Sequence, residues 1–208
     1  ALLGFATLWS GGRGQMLALA VFGVLLLLSR PFRLQVSQFK TAFLGFFCGV
    51  ALVFLSGEAH IFLDSFHRSV ARETLNGISS NRLGIWQRSL DALGEHWLLG
   101  FGPDAFIRLQ VMSSNIVQPH SFIVQWLLEF GLVGTLALLL LLGTLMFQCA
   151  STIVSKQSTS EEAIVAALLV SIVVFAFFDG LFYHVIPSSL FLALALIFAR
   201  RKAAAIKG

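Results

Sequence analysis

Long apolar runs alternate with short polar connections along the chain. Five of these runs, with a few flanking residues, are long enough to form helices that cross a bilayer: 14–29, 41–56, 122–150, 163–178 and 181–199. The connections between them are short except for one polar region, 57–121. The pattern predicts an all-α, polytopic membrane helix bundle of five spans, with one long extramembrane loop that contains short helices.

Composition supports a membrane protein. Hydrophobic residues make up 57% of the chain and charged residues only 12%, with a mean hydropathy of +0.88, whereas a soluble domain is about 25% charged. This excludes a disordered chain and disfavours a soluble domain. Cys48 and Cys149 have no metal-site or disulfide spacing. The chain begins at Ala1, inside an apolar stretch, and we interpret residues 1–208 as the C-terminal part of a longer membrane protein.

The positive charges predict the orientation of the spans. The net charge of +4 does not indicate nucleic acid, since Lys and Arg in short loops mark the cytoplasmic side. The short segments on one side hold eight such residues: Arg30, Arg33, Lys40, Lys156, Arg200, Arg201, Lys202 and Lys207. The short segments on the other side hold only Arg13. We therefore expect a cytoplasmic C-terminus and an outer, periplasmic location for the long loop.

One stretch of the outer loop has a helical pattern. Trp86, Leu90, Leu93 and Trp97 recur at helical spacing within 81–99, and the Gly100–Pro103 run breaks the pattern. The sequence predicts an amphipathic helix over 81–99. Its apolar stripe suits either the lipid interface or packing onto the spans.

Three outer residues are candidates for chemistry, and each also has a simpler explanation. His120 lies where the long outer loop re-enters the membrane, and an imidazole at such a boundary is often only a solvated cap. Arg13 lies among glycines at the outer start of a span, where an arginine often snorkels to head groups. Arg82 opens the predicted helix, where a positive charge opposes the helix dipole. Two arginines at one membrane face suit a phosphate or diphosphate. Arg88 is a less certain third, since a solvated helix face explains it.

Several motifs are absent from the sequence. There is no nucleotide-binding GxxxxGK[ST] loop, no HExxH, no paired Cys or His spacing for zinc and no DxD-like cluster. The sequence therefore predicts a metal-free mechanism without a cofactor. Asp179 and His184 border the last outer turn, where either a role in the outer cavity or a buried polar turn explains them.

Three pieces of sequence on the predicted outer face follow a known pattern. The first is Ser10-Gly11-Gly12-Arg13-Gly14 before an apolar run, and the second joins Asn81-Arg82 through Trp86 with His96 through Pro103. The third is His120-Ser121, nine residues, Gly131, two residues and Gly134-Thr135. In this pattern the chain resembles the C-terminal portion of the O-antigen ligase family, membrane glycosyltransferases that include O-antigen polymerases and protein O-oligosaccharyltransferases. Many relatives carry Asn where this chain has Ser121.

The resemblance implies a reaction and a set of site residues. A glycan on undecaprenyl diphosphate is attacked at its anomeric carbon by an acceptor hydroxyl, with inversion and release of the diphosphate lipid. His120 would act as base, and Arg13 and Arg82 would hold the diphosphate. Four further residues would bind substrate: Arg88, Ser121, Gly131 and Gly134. The implied location is the bacterial inner membrane, with the active face in the periplasm.

Other functions fit parts of the pattern. Lipid A–core is the first choice of acceptor, followed by a growing O-antigen or exopolysaccharide chain and then by a protein. A transporter for the same lipid-linked glycan would use the arginines but would leave His120 without a role. A structural membrane protein would leave all the outer residues unexplained.

Overall fold

The structure is a computed structural model of the chain. It describes residues 13–29, 81–111 and 116–207 and, within 44–57, positions 44–45, 47–49, 51–52, 54–55 and 57. The side chains of Arg13 and of residues 202–207 lie outside the described part, as do most of the predicted second span and the first part of the outer loop.

Helices account for the regular structure of the described ranges, and none of these residues forms a strand. The predicted all-α class is confirmed. The helices are α1 (Arg13–Leu28), α2 (Arg82–Leu93), α3 (Ala105–Arg108), α4 (Phe122–Val154), α5 (Ser160–Phe178) and α6 (Val185–Lys207). Short 3₁₀ turns lie at Gly94–His96 and Leu181–Tyr183.

Helix α5 is the centre of the bundle. It packs most extensively against α1 and α4 and also contacts α6. Its alanines Ala163, Ala166, Ala167 and Ala176 are fully buried, and small side chains of this kind let neighbouring helices approach closely. The helix begins three residues before the predicted span because Thr159 and Glu162 form a reciprocal capping box at its N-terminus.

Among the residues that the structure describes, two helices are long and apolar enough to cross a membrane, α4 and α5, each with an 18-residue stretch of mean hydropathy 2.3. Large apolar side chains on α4, such as Leu140, Leu141 and Phe147, are 69–76% exposed, as expected for helices that face lipid. Helix α1 has only 16 residues, and Arg200 and Arg201 end the uncharged stretch of α6. The count of five spans therefore stays a prediction.

A smaller layer lies at the start of α4. Helices α2 and α3 both pack against α4, and a second core joins all three, made of Ile85, Leu93, Ala105, Phe106 and Leu128. Helix α4 has 33 residues, about 50 Å at about 1.5 Å per residue, which exceeds the roughly 30 Å of a bilayer's hydrocarbon core. Helix α4 is thus longer than one span requires, and this smaller layer, called the outer layer below, covers its first turns.

The predicted amphipathic helix differs from the observed one in two respects. Helix α2 ends at Leu93, because Gly94 adopts a positive φ of 43°, and continues only as a 3₁₀ turn. Its buried residues are Ile85, Ser89 and Leu93, while Leu90 and Trp97 are about half exposed. Leu93 of the predicted stripe is thus buried, while Leu90 and Trp97 keep about half of their surface exposed, and the choice between the lipid interface and packing onto the spans stays a prediction.

Candidate functional site

The outer ends of α4 and α5 bring together a histidine and an aspartate that are far apart in sequence. His120 Nδ1 lies 3.3 Å from Asp179 Oδ1, and the two side chains are 33% and 36% exposed. His120 immediately precedes the N-cap of α4 and has a φ of 53°, in the left-handed region that few non-glycine residues occupy. Asp179 is the C-cap of α5. The pair is therefore held by two helix ends and remains accessible.

The surroundings of Asp179 favour its ionised form. Its pKa lies below the ordinary value of 3.8, first because of the hydrogen bond with His120. The backbone N–H of Gly180 also donates to Oδ1 at 2.8 Å, the charge of Arg82 acts in the same direction, and partial burial opposes the shift. An ionised Asp179 accepts, so His120 donates from Nδ1 and its Nε2 is the acceptor nitrogen.

Helix α2 fastens both members of the pair to one surface. Arg82 Nη1 donates to the carbonyl of Phe178, the residue before Asp179. One turn later, Trp86 Nε1 donates at 2.9 Å to the carbonyl of Pro119, the residue before His120. Residues four apart lie on the same face of a helix. This face therefore sets the separation of the His120 and Asp179 backbones and places the Arg82 charge beside them.

Gly180 leaves room for the Gln118 side chain. A Cβ on Gly180 would lie 1.5 Å from Oε1 of Gln118, so any larger residue at 180 would require the end of this flexible side chain to move. The segment before His120 therefore contacts the turn that carries Asp179 through this side chain.

The Gly131 position breaks α4. Gly131 has φ 61° and ψ −168° inside the helix, which removes the two regular bonds from Leu132 to Leu128 and from Val133 to Glu129. The loop after α2 replaces them with four bonds of 2.8–3.2 Å: Phe101 N–H to the Leu128 carbonyl, Gly102 N–H to that of Glu129, Leu132 N–H to that of Trp97 and Val133 N–H to that of Leu98. These two carbonyls and two N–H groups are therefore all satisfied.

Glycine is required on both sides of this junction. A Cβ on Gly131 would lie 2.4 Å from the carbonyl carbon and oxygen of Leu98, and one on Gly100 would lie 2.5 Å from the Gly131 nitrogen. Both glycines have positive φ. A Cβ on Gly134 would lie 2.5 Å from that of Phe130. The spacing of the glycines after His120 thus has a backbone explanation.

The structure locates the remaining predicted residues as follows. The side chain of Arg13 is outside the described part, but the neighbouring Gly14 faces Phe175 and Phe178 at the outer end of α5, so α1 begins beside the Asp179 turn. Ser121 is buried at the N-cap of α4 and makes no side-chain capping bond. Arg88 is exposed on α2. Substrate binding by Arg88, Ser121, Gly131 and Gly134 stays a prediction.

Asp179 was not among the site residues chosen from the sequence. The available signal was weak, a single acidic residue between two apolar runs, and its partner is 59 positions away. Among the residues the structure describes, no group of three or more His, Cys, Asp or Glu could hold a metal ion.

An apolar groove of about 500 Å³ runs along the bundle. It lies between α4 and α6, and its lining extends from Trp126 and Phe182 to Gln148 and Ala199. Phe182 follows Asp179 by three residues, in the turn after α5.

Residues 1–139 match the model of a protein family described as O-antigen ligase, which covers more than half of the chain. The chain belongs to the O-antigen ligase family. The suspected resemblance is confirmed. Membership supports glycan transfer of the O-antigen ligase or polymerase type at a membrane, with a lipid-linked glycan and an acceptor as partners in general. No match was found among curated proteins or among solved structures.

Proposed function

We propose that this member of the O-antigen ligase family transfers a glycan from undecaprenyl diphosphate to an acceptor hydroxyl at the periplasmic face of the inner membrane. The observation that carries the proposal is the His120–Asp179 pair with the Arg82 charge beside it, on the outer ends of apolar helices. A base and a cation at one place suit a reaction in which a proton is removed while an anionic group departs.

His120 is the general base of this reaction. With Nδ1 turned toward Asp179, Nε2 faces the acceptor and takes the proton of its hydroxyl. The hydroxyl oxygen forms a bond to the anomeric carbon, and the bond from that carbon to the diphosphate oxygen breaks, with inversion. The diphosphate leaves with the electron pair. Asp179 fixes the imidazole tautomer and stabilises the imidazolium, as the carboxylate does in other base–carboxylate pairs.

Arg82 stabilises the departing diphosphate. A guanidinium stays charged at any relevant pH and its fork geometry fits phosphate oxygens. The Phe178 carbonyl anchors the side chain, so the charge is placed before substrate arrives, which is where electrostatic catalysis gains most. We assign the same role to Arg13, because α1 begins next to the Asp179 turn. Arg88 and Ser121 are proposed to contact substrate at the edge of this centre.

The polyprenyl chain of the donor fits the apolar groove between α4 and α6. The groove begins at Phe182, next to the Asp179 turn, and continues along the lipid-exposed part of the bundle. A diphosphate held at Arg82 would therefore have its lipid chain within reach of this surface. We expect lipid A–core as acceptor, with a growing O-antigen or exopolysaccharide chain or a protein hydroxyl as the alternatives.

The test is glycan transfer by the full-length protein with His120→Ala, using an undecaprenyl-diphosphate-linked donor and lipid A–core in EDTA. We expect the wild type to transfer and the variant to lose at least about 100-fold in turnover, the usual contribution of a general base. The matched control is His96→Gln, another outer histidine whose side chain is exposed.

Each alternative outcome overturns a distinct part of the proposal. A fully active His120→Ala protein would rule out His120 as the base. A wild type that extends a glycan or modifies a protein, but leaves lipid A–core untouched, would change the acceptor. Donor flux across vesicles without any transfer would favour a transporter.

A further inference from the structure

The first turns of α4 carry polar residues that the proposed chemistry does not use. Gln125 and Glu129 occupy successive turns after Ser121, and residues spaced by four lie on one side of a helix. Gln125 is only 6% exposed and Glu129 is partly buried. A polar stripe thus runs from the His120 end of α4 to the break at Gly131, along a helix that is otherwise strongly apolar.

Glu129 is the centre of a polar cluster. Its carboxylate accepts a hydrogen bond from the backbone N–H of Asp104 and another from Gln125 Nε2, the latter at 3.4 Å. The charges of Asp104 and Arg108 act on it from the loop around α3. The phenol of Tyr183 lies within electrostatic range of the carboxylates of both Glu129 and Asp104. Three separate segments of the chain therefore bring polar groups to one place.

Packing does not account for Gln125. Its amide nitrogen is directed at Glu129, while its amide oxygen is buried and accepts no hydrogen bond from the residues that the structure describes. A buried acceptor without a donor destabilises the folded state, and an apolar side chain of similar size would avoid that cost. The amide is therefore better explained by the polar cluster that it faces than by stability.

The cluster adjoins the proposed reaction centre. The turn after α5 carries Asp179 at its start and Tyr183 near its end. Between them Phe182 stacks on Trp126 of α4, with ring centroids 6.0 Å apart and an interplanar angle of 11°. Carboxylates, an amide and a phenol beside aromatic rings form a surface that offers acceptors and donors to hydroxyl groups and an apolar face beside them.

We propose that Glu129, Tyr183 and Asp104, supported by Gln125, form a subsite that binds sugar hydroxyl groups next to the bond being transferred. The inference rests on the proposed function, because it assigns the sugar to one of that reaction's two substrates. The sugar can belong to the donor glycan or to a glycan acceptor, and both present the same hydroxyl chemistry.

The test compares Glu129→Gln and Tyr183→Phe with the wild type in the full-length protein. Glutamine keeps an oxygen that can accept a hydrogen bond from the Asp104 N–H, so the variant retains any merely structural role of Glu129. It loses the negative charge, which strengthens hydrogen bonds from sugar hydroxyls. We expect KM for the bound sugar to rise about fivefold in each variant, since each loses about one charge-assisted or neutral hydrogen bond, with kcat within twofold. Asp91→Asn, an exposed acid on α2, is the control.

Two arms identify the sugar. KM is measured for the donor at saturating acceptor and then for the acceptor at saturating donor. The substrate whose KM rises is the one whose sugar the subsite binds. Calorimetric binding of the same substrates to the His120→Ala protein repeats the comparison without turnover, so failure of the base and failure of the subsite are separated. Thermal unfolding shows whether both variants are folded. If Glu129→Gln does not fold, Tyr183→Phe, which removes only one oxygen, still tests the proposal.

Unchanged KM and unchanged affinity in both arms would overturn the subsite. So would a loss of kcat at unchanged KM, because that would place Glu129 in the chemistry or in the scaffold. A KM change of the same size in Asp91→Asn would reduce the effect to general surface charge and would also overturn it.

Discussion

The two halves of α4, before and after Gly131, share an apolar sequence but have different surroundings. In the first half Phe122, Val124 and Leu128 are buried, Leu128 in the core with α2 and α3 and Phe122 against Phe177 and Phe182. In the second half Leu140, Leu141 and Phe147 remain largely exposed along the bundle. The second half also packs on α5 through buried residues such as Cys149 and Ile153, but it exposes large apolar side chains on another side, as expected for a surface that faces lipid.

The backbone shows the same difference. The first half ends where the loop 97–102 takes over hydrogen bonds that a continuous helix would make for itself. The second half continues as a regular helix to Val154. Substitutions at the break and at buried residues before it should therefore have larger effects than substitutions of the exposed residues after it.

The largest effect is expected for Gly131→Val. A Cβ at this position would overlap the Leu98 carbonyl, and the valine would have to adopt a positive φ. Overlap and backbone strain together should lower the free energy of unfolding by about 4 kcal/mol or more. Transfer activity should disappear. Thermal unfolding of the detergent-solubilised protein measures the stability.

The control for this prediction is Gly143→Ala in the same helix. A Cβ there meets nothing within 4 Å, and alanine favours helix over glycine, so stability should stay equal or rise. If the two variants lose the same stability, the junction at Gly131 is not what distinguishes the halves.

A pair of leucines gives the next effect. Leu128 is 1% exposed, whereas Leu141 is 69% exposed. Leu128→Ala should lower the free energy of unfolding by about 3 kcal/mol through lost burial and a cavity. Leu141→Ala should change it by less than about 0.5 kcal/mol. Comparable losses in chemical unfolding would show that α4 is equally packed along its length.

A smaller effect is expected where α2 holds the segment before His120. Trp86→Phe keeps an aromatic ring but removes the bond to the Pro119 carbonyl, which is worth about 1 kcal/mol. Since this bond positions His120, kcat should fall several-fold with little change in donor KM. Trp97→Phe, at a half-exposed ring, should leave kcat unchanged, and an equal fall in both would remove the positioning role.

The smallest effect concerns pH. The pKa of Asp179 is lowered in the folded protein, so its contribution to stability is complete above the ordinary value of 3.8 and is lost as the pH falls through the folded value. The wild type should thus be more stable than Asp179→Asn near neutral pH, and the gap should narrow below pH 3.8. Thermal unfolding against pH measures it, and the gap for Asp91→Asn should be flat.

Elements that depend on local sequence were predictable. The apolar runs predicted the helices, but the helix expected to run to the Gly100–Pro103 stretch already ends at Leu93, because Gly94 has a positive φ. Errors occurred at boundaries. The predicted fourth span excluded Glu161 and Glu162, but the capping box includes both in the first turn of α5.

Pairings across the chain were not predictable from these patterns. The sequence marks Gly100 and Gly131 separately, yet nothing local shows that their backbones meet. The same applies to His120 and Asp179, since spacing within a helix constrains near neighbours only.

The four bonds at the Gly131 junction make the shape of α4 conditional on an earlier part of the chain. Without the loop 97–102, the carbonyls of Leu128 and Glu129 and the N–H groups of Leu132 and Val133 would lose their partners. In a straight helix these carbonyls and N–H groups would bond to each other instead. Straightening would rotate the first nine residues of α4 and carry His120 away from Asp179. During biosynthesis the loop emerges before α4, so a template for the bend already exists when the helix forms, and assembly of the His120–Asp179 pair is coupled to that order.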